Sequence, residues 1–135
     1  MLKAGIIGLG KMGLSHCALV NAHSDVDLVA VCDKSKFVTW LLDKYGGHQC
    51  YSDYKKMFDR HEFDFVFVAT PTPFHYEIVK YALERDIHVF CEKPFCLTTQ
   101  ESVELVKLAE SRKLVNQVGY HNRFLGSFKE AKRLL

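Results

Sequence analysis

Proline and tryptophan are scarce, three and one in 135 residues, which leaves no material for a proline-rich linker. No apolar run approaches the roughly 18 residues a membrane-spanning helix needs, so no membrane partner is expected. Neither sign of charge is in excess. Eighteen Lys and Arg face sixteen Asp and Glu, for a net +2 with the seven His neutral. Nucleic acid and acidic membranes are therefore not expected as main partners. The five Cys are odd in number and no two are spaced C-x-x-C. Buried, reduced thiols in a cytoplasmic protein fit this better than a disulfide framework. Cys91 and Cys96 could supply half a metal site only with help from scattered His, so no metal is expected. The opening stretch lacks the small-residue cleavage site of a signal peptide.

What is present is ordinary for a globular chain: 48% hydrophobic and 25% charged residues. The length fits about one domain of roughly 150 residues. One local bias stands out. From Arg112 to Leu135 there are six Lys and Arg against a single acid, Glu130. A phosphate-binding segment and a solvated basic face both remain open as readings.

The hydrophobic period switches repeatedly along the chain. Leu2–Gly8, Asp27–Asp33, His48–Tyr51, Phe63–Thr70, Ile87–Cys91 and Leu114–Gly119 read as strands. Between them, Lys11–Ala22 reads as a helix with Met12, Cys17, Ala18 and Leu19 on one face. Ser35–Tyr45 reads as a second, closed by Gly46-Gly47. Ser52 can cap a short helix over Asp53–Asp59. Thr72-Pro73 gives a cap and a first-position proline for a helix reaching Arg85. Thr98 to Glu101 spells a capping box opening a helix to Arg112, and Ser127–Leu135 begins a last helix. Strands apolar on both faces, alternating with helices, specify one α/β domain: a doubly wound parallel sheet of the Rossmann type, covered on both sides.

Gly8-Leu9-Gly10-Lys11-Met12-Gly13 spells G-x-G-x-x-G between the first strand and the first helix. Asp33 follows Gly13 by 20 positions, at the end of the second strand. This context is that of a dinucleotide site. Gly8 would permit the tight turn, Gly10 the approach of a pyrophosphate, and Gly13 close packing of helix on strand. The helix N-terminus would offer free N–H groups to the diphosphate. Asp33 would accept from the ribose hydroxyls and repel a 2′-phosphate, which favours NAD over NADP. Lys34 and Lys36 leave some tolerance for the phosphate, and a capping role for Asp33 is compatible with the ribose role. Thr70, Pro71 and His75 follow the fourth strand, and Glu92 and Lys93 follow the fifth. The carboxyl ends of parallel strands are where ligands bind, so both segments border the expected cofactor crevice.

Taken together, GLGKMG, VCD, ATPTPFHYEIVKYAL, HVFCEKP and VGYHNRF resemble the N-terminal domain of the Gfo/Idh/MocA family. The resemblance covers essentially the whole chain and is most specific at His88–Pro94. It implies an NAD(P)-dependent oxidoreductase acting on sugars, cyclitols and related polyols, often as a homo-oligomer. It implies that Lys93 is the catalytic lysine beside nicotinamide and reacting carbon, and that the bond to Pro94 is cis. It places His121 and Arg123 on the segment that borders the substrate. Other catalytic residues are expected from a second, mainly β domain, so residues 1–135 correspond to the dinucleotide-binding domain alone. Such a chain is expected to bind cofactor without turning substrate over. A cofactor-binding module with no activity of its own is the alternative. One departure is Arg85-Asp86 where the family often has Gly; Asp tolerates the left-handed conformation better than most residues.

Overall fold

A computed structural model describes residues 1–135. Six strands form one parallel sheet in the order β3-β2-β1-β4-β5-β6. They are β1 (Leu2–Ile7), β2 (Val26–Cys32), β3 (Gln49–Tyr51), β4 (Phe65–Val68), β5 (His88–Cys91) and β6 (Asn116–Val118). The helices are α1 (Lys11–Asn21), α2 (Lys36–Gly46), α3 (Tyr54–Arg60), α4 (His75–Leu83), α5 (Thr99–Ser111) and α6 (Gly126–Leu134). The strand order reverses between β1 and β4, which opens a crevice at their carboxyl ends. No helix is long and apolar enough to cross a membrane.

Alternate residues of each strand feed two cores. Val66 and Val68 of β4 and Val89 and Cys91 of β5 join Met57, Ile78, Val79, Leu83 and Leu105 in a cluster of 18 buried residues, beneath α3, α4 and α5. Ala4, Ile6, Leu28 and Val31 join Cys17 and Val20 in a cluster of seven, beneath α1 and α2. Helices thus cover both faces.

Several boundaries differ from the sequence expectation. The buried stripe of α1 is Gly13, Cys17 and Val20. Met12, Ala18 and Leu19 point to solvent instead, because the contact of Gly13 with the glycine loop sets the rotation of the helix. Asp53, not Ser52, caps α3, accepting from the Lys55 N–H at 2.9 Å. Thr72 does not cap α4. With Pro71 and Pro73 removing two N–H groups, Thr72–Phe74 forms a 3₁₀ turn and the α-helix begins at His75. That helix stops at Leu83, short of Arg85, because the chain turns through Asp86 at φ 61°. The left-handed residue is thus Asp86, as the sequence anticipated, and Lys113 adds a second at φ 57°. Around Thr98 the capping box is complete: Oγ1 accepts from Glu101 N–H at 3.2 Å, and Glu101 accepts from Thr98 N–H at 3.1 Å.

Candidate functional site

The glycine loop runs from β1 into α1 at the carboxyl edge of the sheet. Gly8 has φ 93°, and a Cβ there would lie 2.6 Å from the backbone of Ala69 and Thr70. The loop is therefore pressed against the end of β4, which only glycine allows. A Cβ on Gly13 would collide with the Gly8 carbonyl oxygen. Gly10 differs from both: a Cβ there meets nothing within 4 Å. The protein does not demand a glycine at that position, and the open space lies where a ligand would approach. Leu9 turns its side chain into the core at 2% exposure and offers the site only its backbone. The N–H groups of Gly10, Lys11, Met12 and Gly13 have no backbone acceptor, since the first helical bond runs from Leu14 N–H to Gly10. Lys11 and Met12 are exposed beside them.

Asp33 closes the far side of the loop. One carboxylate oxygen accepts from Leu9 N–H at 2.6 Å and the other from Ser35 N–H at 2.7 Å. Each oxygen retains further acceptor capacity. Gly8, Gly10, Asp33, Lys34, Thr70 and Pro71 share the lining of a cavity of about 720 Å³. Lys34 is held 4.7 Å from the centre of the Phe74 ring. The Thr70 hydroxyl is buried with no partner, an orphan that a bound ligand could satisfy. Free N–H groups, open space at Gly10 and an unpaired hydroxyl together fit the diphosphate of a dinucleotide. Cys32 lines the same cavity, and burial with Asp33 and Asp53 nearby pushes its thiol up to about 12.

A second group of residues gathers after β5. Lys93 is exposed, and its bond to Pro94 is cis. His121 and Arg123, on a 3₁₀ turn over His121–Phe124, line the same cavity of about 960 Å³ as Lys93. Glu92 is buried, with its carboxylate engaged elsewhere (below). His75 joins the two halves. Its Nε2 lies 2.7 Å from the Thr70 carbonyl oxygen, and its Nδ1 lies 2.9 Å from that of Pro94 and 3.2 Å from that of Phe95. With the ring 1% exposed and set between these carbonyls, His75 bridges the β4 loop and the β5 loop.

One residue of this arrangement was missed in the sequence. His16 of α1 places Nε2 2.7 Å from Glu92 Oε1. Its ring stacks on Phe67 at 5.1 Å between centroids and meets Phe90 edge-on at 5.2 Å. Glu92 Oε2 accepts from Lys93 N–H at 3.2 Å. The available signal was a polar residue three positions after Gly13, beside the stripe that faces the sheet.

The family model of the Gfo/Idh/MocA oxidoreductases, described as an oxidoreductase family with an NAD-binding Rossmann fold, matches residues 2–120. The chain belongs to that family. It is 34% identical over 125 residues to the D-glucoside 3-dehydrogenase of Escherichia coli, covering 91% of this chain and 36% of that one. A myo-inositol 2-dehydrogenase structure from Lactobacillus plantarum superposes with a TM-score of 0.86 at 38% identity, over 98% of this chain and 40% of the other. The scyllo-inositol dehydrogenase of Lactobacillus casei, solved with NAD(H) and scyllo-inositol, gives 0.89 at 28% identity, over 99% and 40%. The chain spans about 40% of the length of these relatives. It is an NAD-binding Rossmann domain of this oxidoreductase family.

Proposed function

We propose that residues 1–135 are the cofactor-binding part of a longer oxidoreductase that moves a hydride between NAD and a sugar, cyclitol or related polyol. One observation carries the reading: the His75 bridge joins the edge that fits a diphosphate to the loop that bears Lys93. The nicotinamide, when bound, would supply the hydride acceptor. The chain's own groups do the rest. Lys93 enters none of the ion pairs, so its ammonium is free to hold a substrate hydroxyl oxygen and relay the proton. His121 and Arg123 face the same cavity and would contact further hydroxyls. Asp33, with acceptor capacity left after its two backbone bonds, would take the ribose hydroxyls and disfavour a 2′-phosphate; NAD is therefore the cofactor we assign over NADP. The curated and solved relatives named above, which include a glucoside and two inositol dehydrogenases, support the substrate class. A second domain would enclose the substrate, and the whole protein would be a homo-oligomer. Five free thiols are in keeping with a cytoplasmic setting.

The test uses the short chain and its parent enzyme side by side. The short chain should bind NADH and oxidise no polyol at a useful rate, because an open half-site does not hold the reactants in line or exclude water. In the parent, Lys93→Met should cut turnover strongly and leave NAD affinity within a few-fold. Normal turnover in that variant, or robust polyol-dependent NADH production by the short chain, would overturn the assignment.

A further inference from the structure

The cavity beside Lys93 carries more positive charge than a neutral polyol calls for. Lys93, Arg123, Lys129 and Lys132 all line it, together with His121, and no Asp or Glu does. None of the four cations enters an ion pair. The carboxylates nearest in sequence are both committed elsewhere. Glu92 is engaged by His16, and Glu130 holds Arg133 at 2.6 Å. Lys129 and Lys132 are three apart on α6, so they share a face of that helix. Four like charges around one space repel one another, and a ligand of opposite charge relieves that repulsion. Such a cavity concentrates anions. The Arg123 guanidinium is also suited to grip a carboxylate or phosphate with two parallel hydrogen bonds.

We propose that the substrate is an anionic sugar or polyol, bearing a carboxylate or phosphate that Arg123, Lys129 and Lys132 receive while Lys93 meets the reacting hydroxyl. The proposal rests on the dehydrogenase reading above and narrows its substrate class. It also resolves the basic bias of the last 24 residues: part of that bias belongs to a binding site.

The experiment titrates the parent enzyme, saturated with NADH, with glucose, glucuronate, glucose 6-phosphate and inorganic phosphate at low and at high salt. NADH fills the glycine loop, so an anion attracted there is not counted. At least one charged sugar should bind about tenfold tighter than glucose, a difference of about 1.4 kcal/mol. Salt should erode that advantage. The two charged sugars separate carboxylate from phosphate recognition. Replacing both lysines, Lys129→Ala with Lys132→Ala, should remove the advantage. Those positions lie on a helix with no buried residue, so the variant should fold. Equal affinity for glucose and both charged sugars would overturn the proposal. So would inorganic phosphate binding as tightly as glucose 6-phosphate, which would mean charge attraction without a sugar site. A chain that fails to bind NADH at all would overturn the parent reading instead, and that titration comes first.

Discussion

His16 and Glu92 stand 76 positions apart in sequence and 2.7 Å apart in space. They link the helix that would receive the diphosphate to the residue preceding Lys93. The glutamate side chain is 9% exposed and the histidine 15%, so neither has water as a ready substitute. His16→Ala should leave a buried carboxylate oxygen without its donor and destabilise the domain by about 1–3 kcal/mol. His16→Gln keeps a donor and should recover part of that. Urea unfolding of the three proteins checks the order; equal stability of all three would mean that Glu92 finds another partner.

The three loop glycines should respond differently. Gly10→Val projects into open space, so circular dichroism should stay near wild type while NADH affinity falls at least about tenfold, about 1.4 kcal/mol. Gly8→Ala and Gly13→Ala meet backbone atoms and should lower the unfolding midpoint before any cofactor is added. An unfolded Gly10→Val protein would contradict the open space at that position.

Asp33 joins the glycine loop to the start of α2 through two backbone N–H groups. Asp33→Ala should therefore act twice. It should weaken NAD binding and narrow the margin over NADP, and it should loosen the loop in the free protein. Paired titrations with both cofactors, and amide exchange at Leu9 and Ser35, would show each effect. A clear NADP preference in the unaltered chain would mean that Lys34 or Lys36, not Asp33, decides the choice.

The thiols set an alkaline limit. Burial pushes Cys32 up to about 12 and Cys50 up to about 11, against 9.0 for an unhindered thiol. The folded state holds these protons more tightly than the unfolded chain. Stability should thus be fully present below pH 9 and fall as pH rises through the folded values. Alkylation of the native chain at neutral pH should be slow at Cys32, since the thiolate is the reactive form. Rapid labelling of Cys32 without unfolding would refute this.

The strands, the glycine loop and Asp33 were legible because each is a local pattern: apolar runs, fixed glycine spacing, an acid at a strand end. The capping box at Thr98 and the left-handed turn at Asp86 were legible for the same reason. What escaped was set by tertiary contact. Periodicity placed Met12, Cys17, Ala18 and Leu19 on one face of α1; Cys17 is buried, but the packing of Gly13 on Gly8 turned Val20 inward beside it and left Met12, Ala18 and Leu19 in solvent. Paired prolines displaced the start of α4 by a 3₁₀ turn. His16 bonds to a residue on another strand, and no spacing rule announces that. His75 was singled out in the sequence, yet its place between the carbonyls of Thr70, Pro94 and Phe95 needed the folded chain to be seen.

The two cores are unequal, 18 buried residues against seven, and α2 contributes none to either. Local opening follows buried contact, so backbone amides of α2 should exchange with solvent well before those of α4. The Asp33 end of the cavity leans on that softer half, through its bond to Ser35 just ahead of α2. A ligand held there would slow exchange far from its own atoms, and a loosely seated helix would become a sensitive reporter of an occupied cavity.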